Sequence, residues 1–329
     1  MNILAYSFQS FERQHFDAFN HGRHRIQYTD TRLTVSTAVL ANGYDGVCLF
    51  VSDDASAEAL EILHAGGVRF VALRCAGFNN VDLKKAKALG MQVARVAAYS
   101  PYAVAEHSVA MMLALNRQLI RAHNRVMEQN FSLNGLTGFD MYEKTVGIVG
   151  TGKIGGIVAR ILHGFGCRLL AFDTTENEEL KHKYQISYTP YETLCAEADI
   201  ITLHLPLLPE TKHLINARMI GKMKEGVMLI NTSRGGLIDA GAVVDALKSG
   251  KIKYFGMDVY EEEAGLFFED HSNDILQDDT LARLMTFRNV LITSHQGFLT
   301  DTALKNIAQT TIENLTCFEE SRTSGNEIG

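Results

Sequence analysis

Three glycines at G-x-G-x-x-G spacing, Gly150, Gly152 and Gly155, follow the apolar run Thr145–Val149 and precede Ile157, Val158, Ile161 and Leu162 at helical period. This order predicts strand, tight turn and helix. The first glycine permits the turn, the second lets the backbone approach a pyrophosphate, and the third allows close helix–strand packing. The amides opening the helix, around Lys153 and Ile154, would face the anion. A second apolar run, Arg168–Phe172, ends at Asp173, about 20 residues beyond the glycines, where an acid bonds the ribose hydroxyl of a dinucleotide. Because an acid there repels a 2′-phosphate, the expected cofactor is NAD.

Further along, apolar runs end repeatedly in polar residues. Ile200–Leu203 ends at His204 and is followed by Pro206; Val227–Asn231 leads through Thr232 and Ser233 to Arg234; the run 254–257 ends at Asp258; and the run 290–293 leads to His295. In a parallel sheet all these ends share the edge that carries the glycine turn, so the residues converge on one candidate site. His204 reads equally well as a satisfied loop histidine. A nicotinamide cofactor brings hydride transfer, which leaves the protein to supply orientation and a proton. The planar fork of Arg234 can grip a carboxylate or polarise a carbonyl, and His295 titrates near neutral pH and can protonate an alkoxide. Both services suit a 2-oxo acid. An acid that orients the histidine and keeps it protonated is available in Glu261, Glu262 or Glu263, and spacing does not choose among them.

The elements that must position these groups follow from the rest of the chain. At ~150 residues per domain, 329 residues with 46% hydrophobic and 21% charged composition predict two globular domains. Runs at 3–6, 46–51, 68–73 and 91–96 alternate with helical stretches at 55–64 and 82–89, which predicts a parallel sheet. The turn at 75–80 follows one of these strands; its Gly77 either offers backbone amides to an anion or merely turns the chain. A long Met- and Ala-rich helix is expected over 103–126, its apolar positions including Leu119 and Ile120, with Glu106 and His107 as packing or capping groups. The five cysteines are scattered without C-x-x-C spacing and read as reduced core thiols, with no metal site. A net charge of −7 without a basic block argues against nucleic-acid or membrane partners. The first residues lack a basic leader and no run approaches the ~18 apolar residues of a membrane span, so a cytoplasmic location is expected.

The residues at 74–82 (RCAGFNNVD), the glycine turn, His204-Leu205-Pro206-Leu207, Asn231-Thr232-Ser233-Arg234-Gly235, Met257-Asp258-Val259-Tyr260-Glu261 and Ser294-His295-Gln296 together resemble the D-isomer-specific 2-hydroxyacid dehydrogenases nearly end to end. Within that family the likeness is greatest to the bacterial fermentative branch that forms D-lactate. The resemblance implies a fold of two doubly wound, Rossmann-like α/β domains, with an NAD domain (101–298) inserted into a discontinuous substrate domain (1–100 plus 299–329, including a C-terminal helix at about 300–320). It implies that Arg234 binds and polarises the 2-oxo acid, that His295 is the acid/base and that Glu263 pairs with it. Asp258 would face the nicotinamide end of the cofactor, with Thr232, His204 and Pro206 also at the cofactor. The amides of Ala76 and Gly77 would hold the substrate carboxylate, and Tyr99 and Phe298 would border its side chain. Pyruvate is the expected substrate. The alternatives are another 2-oxo acid (hydroxypyruvate, phenylpyruvate or a branched-chain one) or, in another class, a non-catalytic dinucleotide-sensing corepressor. A homodimer or homotetramer is expected, with the helix from Ala103 contributing to the interface.

Overall fold

The computed structural model describes all residues, Met1–Gly329. In chain order, the first elements are β1 (Asn2–Ala5), α1 (Arg13–Asn20), β2 (Arg25–Tyr28), β3 (Gly46–Leu49), α2 (Ala57–Ala65), β4 (Phe70–Leu73), α3 (Leu83–Ala88) and β5 (Gln92–Ala94). Next come α4 (Pro101–Asn116), α5 (Leu119–Met127), β6 (Thr145–Val149), α6 (Lys153–Gly164), β7 (Arg168–Phe172), α7 (Glu178–Tyr184), β8 (Ser187–Tyr188) and α8 (Tyr191–Glu197). The chain closes with β9 (Ile200–Leu203), α9 (Ala217–Lys222), β10 (Val227–Asn231), α10 (Ala240–Ser249), β11 (Ile252–Met257), α11 (Asp279–Met285), β12 (Val290–Ile292) and α12 (Asp301–Glu319). These elements fall into two compact units, Met1–Ser100 with Leu299–Gly329, and Pro101–Phe298.

The first unit is built on a five-stranded parallel sheet in the order β2-β1-β3-β4-β5. One face is closed by α12, whose Ala308, Ile312, Leu315 and Phe318 pack on Ile3, Ala5, Phe16, Cys48 and Ala72, and whose Phe318 ring stacks on Phe70 at 5.0 Å. Each such large apolar side chain contributes about 1.5–3 kcal/mol when fully buried, so the last thirty residues are part of the first core rather than an appendage. The ends of β1, β3 and β4 are drawn together by the fully buried Arg74. Its guanidinium donates to the carbonyls of Tyr6 (3.0 Å), Ser7 (3.2 Å) and Cys48 (3.0 Å) and pairs with the buried Glu12 at 2.9 Å. The charge is tolerated because it is paired and its donors are used. The turn at 75–80 leaves the sheet directly after this knot.

The second unit carries a seven-stranded parallel sheet in the order β12-β11-β10-β9-β6-β7-β8. Its central strands β6, β9 and β10 are buried at every residue, as parallel strands covered on both faces must be. The strand order reverses between β6 and β9, which places the switch point where ligands bind in open α/β sheets.

One expectation is corrected. The helix predicted over 103–126 is two helices, because Gln118 adopts a left-handed conformation (φ 50°) and the Asn116 side chain turns away to bond the backbone of Phe139. Helix α4 is buried as predicted, but α5 buries nothing, and Leu119 and Ile120 stand 55% and 53% exposed. Cys48, Cys167, Cys195 and Cys317 are buried free thiols and Cys75 is half-buried. Burial pushes the Cys48, Cys167 and Cys195 thiols up to about 11, away from reactivity at neutral pH. No helix is long and apolar enough to cross a membrane.

Candidate active site

The glycine turn sits where β6 gives way to α6. Gly150 has φ +94°, and a Cβ there would lie 2.6 Å from the His204 carbonyl oxygen; one on Gly155 would lie 1.9 Å from the Gly150 oxygen. Neither position admits a side chain. Around Gly152, by contrast, a Cβ would meet nothing within 4 Å, so the backbone at the start of α6 borders open space. Lys153 is exposed and Ile154 half-buried in the first turn of that helix. Asp173, just past β7, accepts bonds from the Thr151 amide (2.6 Å) and hydroxyl (3.1 Å) through one oxygen. Burial pushes this carboxyl up, but the bonds from Thr151 and the following backbone outweigh burial and hold it below the usual carboxylate range. Asp173 thus fastens the glycine turn to β7 while retaining acceptor capacity. Thr151 is a partner that sequence reasoning missed.

At the neighbouring switch-point strand, His204 accepts no help at Nδ1, which is buried without a hydrogen-bond partner, while Nε2 lies 2.9 Å from the Thr202 hydroxyl. Burial pushes the imidazole down to about 3, so it is neutral at physiological pH. Between the ordinary histidine value and about 3, the unfolded chain holds a proton that the native ring refuses, so stability is full above about pH 6.5 and falls as the pH drops, by at most ~1.4 kcal/mol per unit. His204→Gln is expected to flatten that part of the acid limb. Urea midpoints at pH 7 and pH 5 check it, and an equal fall in both proteins would contradict it. Pro206, two residues on, is exposed, and its carbonyl accepts from the Thr211 hydroxyl at 2.8 Å.

Past β10, Thr232 is buried with its hydroxyl 2.7 Å from that of Ser108 on α4. The turn to Arg234 is closed by the Asn231 side chain, which donates to the Arg234 carbonyl (2.9 Å) and accepts from the Ser233 amide (3.1 Å). The half-buried Arg234 guanidinium donates to the Ser233 carbonyl (2.6 Å), and no carboxylate neutralises it. Four of its five donors are therefore available to an incoming anion.

Past β11, the carboxylate of Asp258 is 1% exposed and turned inward. It accepts from the Thr293 hydroxyl (2.5 Å) and the amides of Gln296 and Gly297 (2.8 Å each), with His107 Nε2 at 3.4 Å. These bonds pin the loop that carries His295. His107, which the sequence reading treated as a packing or capping group of α4, supports that arrangement and also bonds Thr293 at 3.1 Å. Its position among apolar helix residues was the signal, an imidazole facing a core that holds a carboxylate. His295 itself takes a left-handed backbone (φ 49°), its amide donating to the Asp258 carbonyl at 2.6 Å. For a non-glycine residue that conformation costs on the order of 1 kcal/mol or more and marks positions held for a purpose.

The three acids after Asp258 separate cleanly. Glu263 Oε1 lies 2.8 Å from His295 Nδ1 while its other oxygen accepts from the Tyr260 amide (3.0 Å). Glu261 instead pairs with His213 at 2.8 Å, and Glu262 is exposed. With an ionised Glu263, Nδ1 carries the bonded proton and Nε2 is left for exchange. In the first unit, the turn after β4 is braced by Arg95, which donates to the Ala76 carbonyl (2.8 Å) and covers the Phe78 ring, while the Cys75 thiol donates to the Gly77 carbonyl (3.2 Å). Tyr99 is half-buried, its carbonyl accepting from Asn306 on α12 at 2.5 Å; Phe298, half-buried, ends the second unit.

A family model described as the NAD-binding domain of D-isomer-specific 2-hydroxyacid dehydrogenases matches residues 109–297. The D-lactate dehydrogenase of Escherichia coli K12 is 50% identical over 329 residues, all of both chains. This chain belongs to the D-isomer-specific 2-hydroxyacid dehydrogenases. Among solved structures, the dehydrogenase resembles the pyruvate reductase of Chlamydomonas reinhardtii with TM-score 0.93 and 45% identity, covering 99% of this chain and 98% of that one. It resembles a D-lactate dehydrogenase of Aquifex aeolicus, solved with NAD and lactic acid, with TM-score 0.89 and 31% identity over 99% of each chain. NAD is its cofactor, and the turn fits that group: open space faces Gly152, and His204, whose backbone lies against Gly150, holds a buried Nδ1 without a partner.

Proposed function

We propose that this dehydrogenase reduces pyruvate to D-lactate, with His295 as proton donor. The observation that carries the reading is the Glu263–His295 pair at 2.8 Å on the same sheet edge as an uncompensated Arg234. The likeness to the D-lactate dehydrogenase of Escherichia coli and to the pyruvate reductase of Chlamydomonas supports pyruvate as the substrate. NADH, when bound, supplies the hydride. Arg234 polarises the carbonyl and grips the carboxylate with its fork, and the His295 Nε2–H proton passes to the oxygen as the alkoxide forms. Glu263 accepts from Nδ1–H and so fixes the ring, leaving Nε2 to carry the transferred proton. The unit 101–298 acts as the NAD domain, with Gly150, Gly152, Lys153, Ile154, Gly155, Asp173, His204, Pro206, Thr232 and Asp258 around the cofactor. The unit 1–100 with 299–329 acts as the substrate domain, where the Ala76 and Gly77 amides take the carboxylate and Tyr99 borders the methyl group.

A panel of 2-oxo acids at fixed NADH tests the reading. Pyruvate is expected to give the highest kcat/KM; a higher value for phenylpyruvate, hydroxypyruvate or a branched acid would reassign the substrate, and NADH binding without turnover of any acid would point to a sensor. Asp173→Ala should lower the preference for NADH over NADPH by about 10- to 100-fold, the worth of a charge-assisted hydrogen bond. Unchanged relative rates with the two cofactors would remove Asp173 from the ribose site.

A homodimer or homotetramer is proposed from the apolar face of α5 and the loop after it. Leu119, Ile120, Val126 and Met127 are 50–71% exposed, with Phe131 and Leu133 at 72% and 81%. A contiguous exposed apolar face of this kind calls for a partner, and a second copy of the chain is the occupant always at hand. Sedimentation of Ile120→Asp/Met127→Asp should show a smaller species than wild type; equal masses would place the interface elsewhere.

A further inference from the structure

We propose that His213 and Glu261 form a latch that positions Arg234, an inference that rests on Arg234 being the substrate's ligand. The loop bearing Arg234 is sandwiched between two chain segments. On one side, a Cβ on Gly235 would lie 2.0 Å from the Tyr260 carbonyl carbon and 2.2 Å from the Glu261 nitrogen, so the residue after Arg234 rests directly on the Tyr260–Glu261 peptide. On the other side, the His213 amide donates to the Gly236 carbonyl at 2.8 Å and the Ile215 amide to that of Leu237 at 3.0 Å. The outer segments are joined across the loop by the His213 Nε2 to Glu261 Oε2 contact at 2.8 Å, with Lys212 Nζ 3.3 Å from the second oxygen. His213 holds a left-handed backbone (φ 50°), uncommon for a residue other than glycine.

The pair's exposure decides between a structural and a positioning role. His213 and Glu261 side chains are 39% and 26% exposed, and ion pairs so placed add little to stability. Their geometry, however, ties the Arg234 loop to the segment that two residues later supplies Glu263 to His295. The latch thereby sets the substrate-gripping arginine in register with the proton donor, where small displacements have large kinetic effects.

The test is a double-mutant cycle on the full-length enzyme with pyruvate and NADH. His213→Ala is expected to lower kcat/KM for pyruvate by about tenfold, chiefly through KM, with NADH affinity and melting temperature unchanged. His213→Gln, whose amide nitrogen can replace Nε2–H, should recover most of the loss, and Glu261→Gln should resemble His213→Ala in direction with a smaller effect. In an Arg234→Lys background, His213→Ala should cost less than about twofold, because the group it positions is gone. The same loss in both backgrounds, no loss in either, or a lowered melting temperature without the coupling would overturn the latch. The parent reading fails separately, if Arg234→Lys alone retains wild-type efficiency.

Discussion

His295→Gln is expected to reduce kcat for pyruvate reduction by about 10²- to 10⁴-fold, the range a positioned general acid supplies. The amide keeps the hydrogen-bond reach of the imidazole but has no titratable proton to release. Its partner Glu263 would remain bonded to the Tyr260 amide, and Asp258 would still pin the loop through Thr293, Gln296 and Gly297. NADH affinity should therefore persist, which separates lost chemistry from lost structure. Glu263→Gln should cost less, since its oxygen can still accept the Nδ1–H bond while only the charge is removed. Steady-state kinetics with NADH titration in each variant check this order. Retention of more than a tenth of wild-type kcat by His295→Gln would mean the proton comes from another group.

Arg234→Lys should be nearly as damaging, with kcat/KM for pyruvate down by about 10²- to 10³-fold, the scale of losing one preorganised electrostatic contact to a reacting oxygen. The substitution conserves charge, so any loss reports on geometry: a lysine offers a point charge in place of a planar fork. The structure makes the fork's orientation specific, because Asn231 closes the turn around the Arg234 carbonyl and the Ser233 carbonyl receives one guanidinium nitrogen. A lysine keeps the Asn231 bond to the backbone carbonyl but cannot set a planar fork against the Ser233 carbonyl. Wild-type efficiency in the Lys variant would remove Arg234 from the substrate.

The helix α5 shows where local pattern misleads. Its apolar residues have helical spacing, and in a single chain that spacing predicts burial; the residues are instead exposed, since the break at Gln118 redirects the helix after α4 has entered the core. Periodicity reports that a face is apolar and says nothing of what will cover it.

What the sequence determined alone was ten of the twelve strands, all but the edge strands β2 and β8, together with the glycine turn and the polar residues that end β9, β10 and β11. These are local properties, set by side-chain period, β-branched runs and the few residues that tolerate a tight turn. Parallel pairing then obliges all the strand ends in one sheet to share an edge, which is why the sequence by itself points to a site. The tertiary structure decided the rest. Which of Glu261, Glu262 and Glu263 meets His295 depends on a turn that sends adjacent carboxylates to His213, to solvent and to the imidazole. That Asp258 points inward, with His107 beside it, depends on contacts between residues up to 186 apart in sequence. The same holds for α12 filling the first core and for Arg74 knotting three strand ends. Such choices are made by packing and by the need to satisfy buried charge, and both act between residues that only the folded chain brings together.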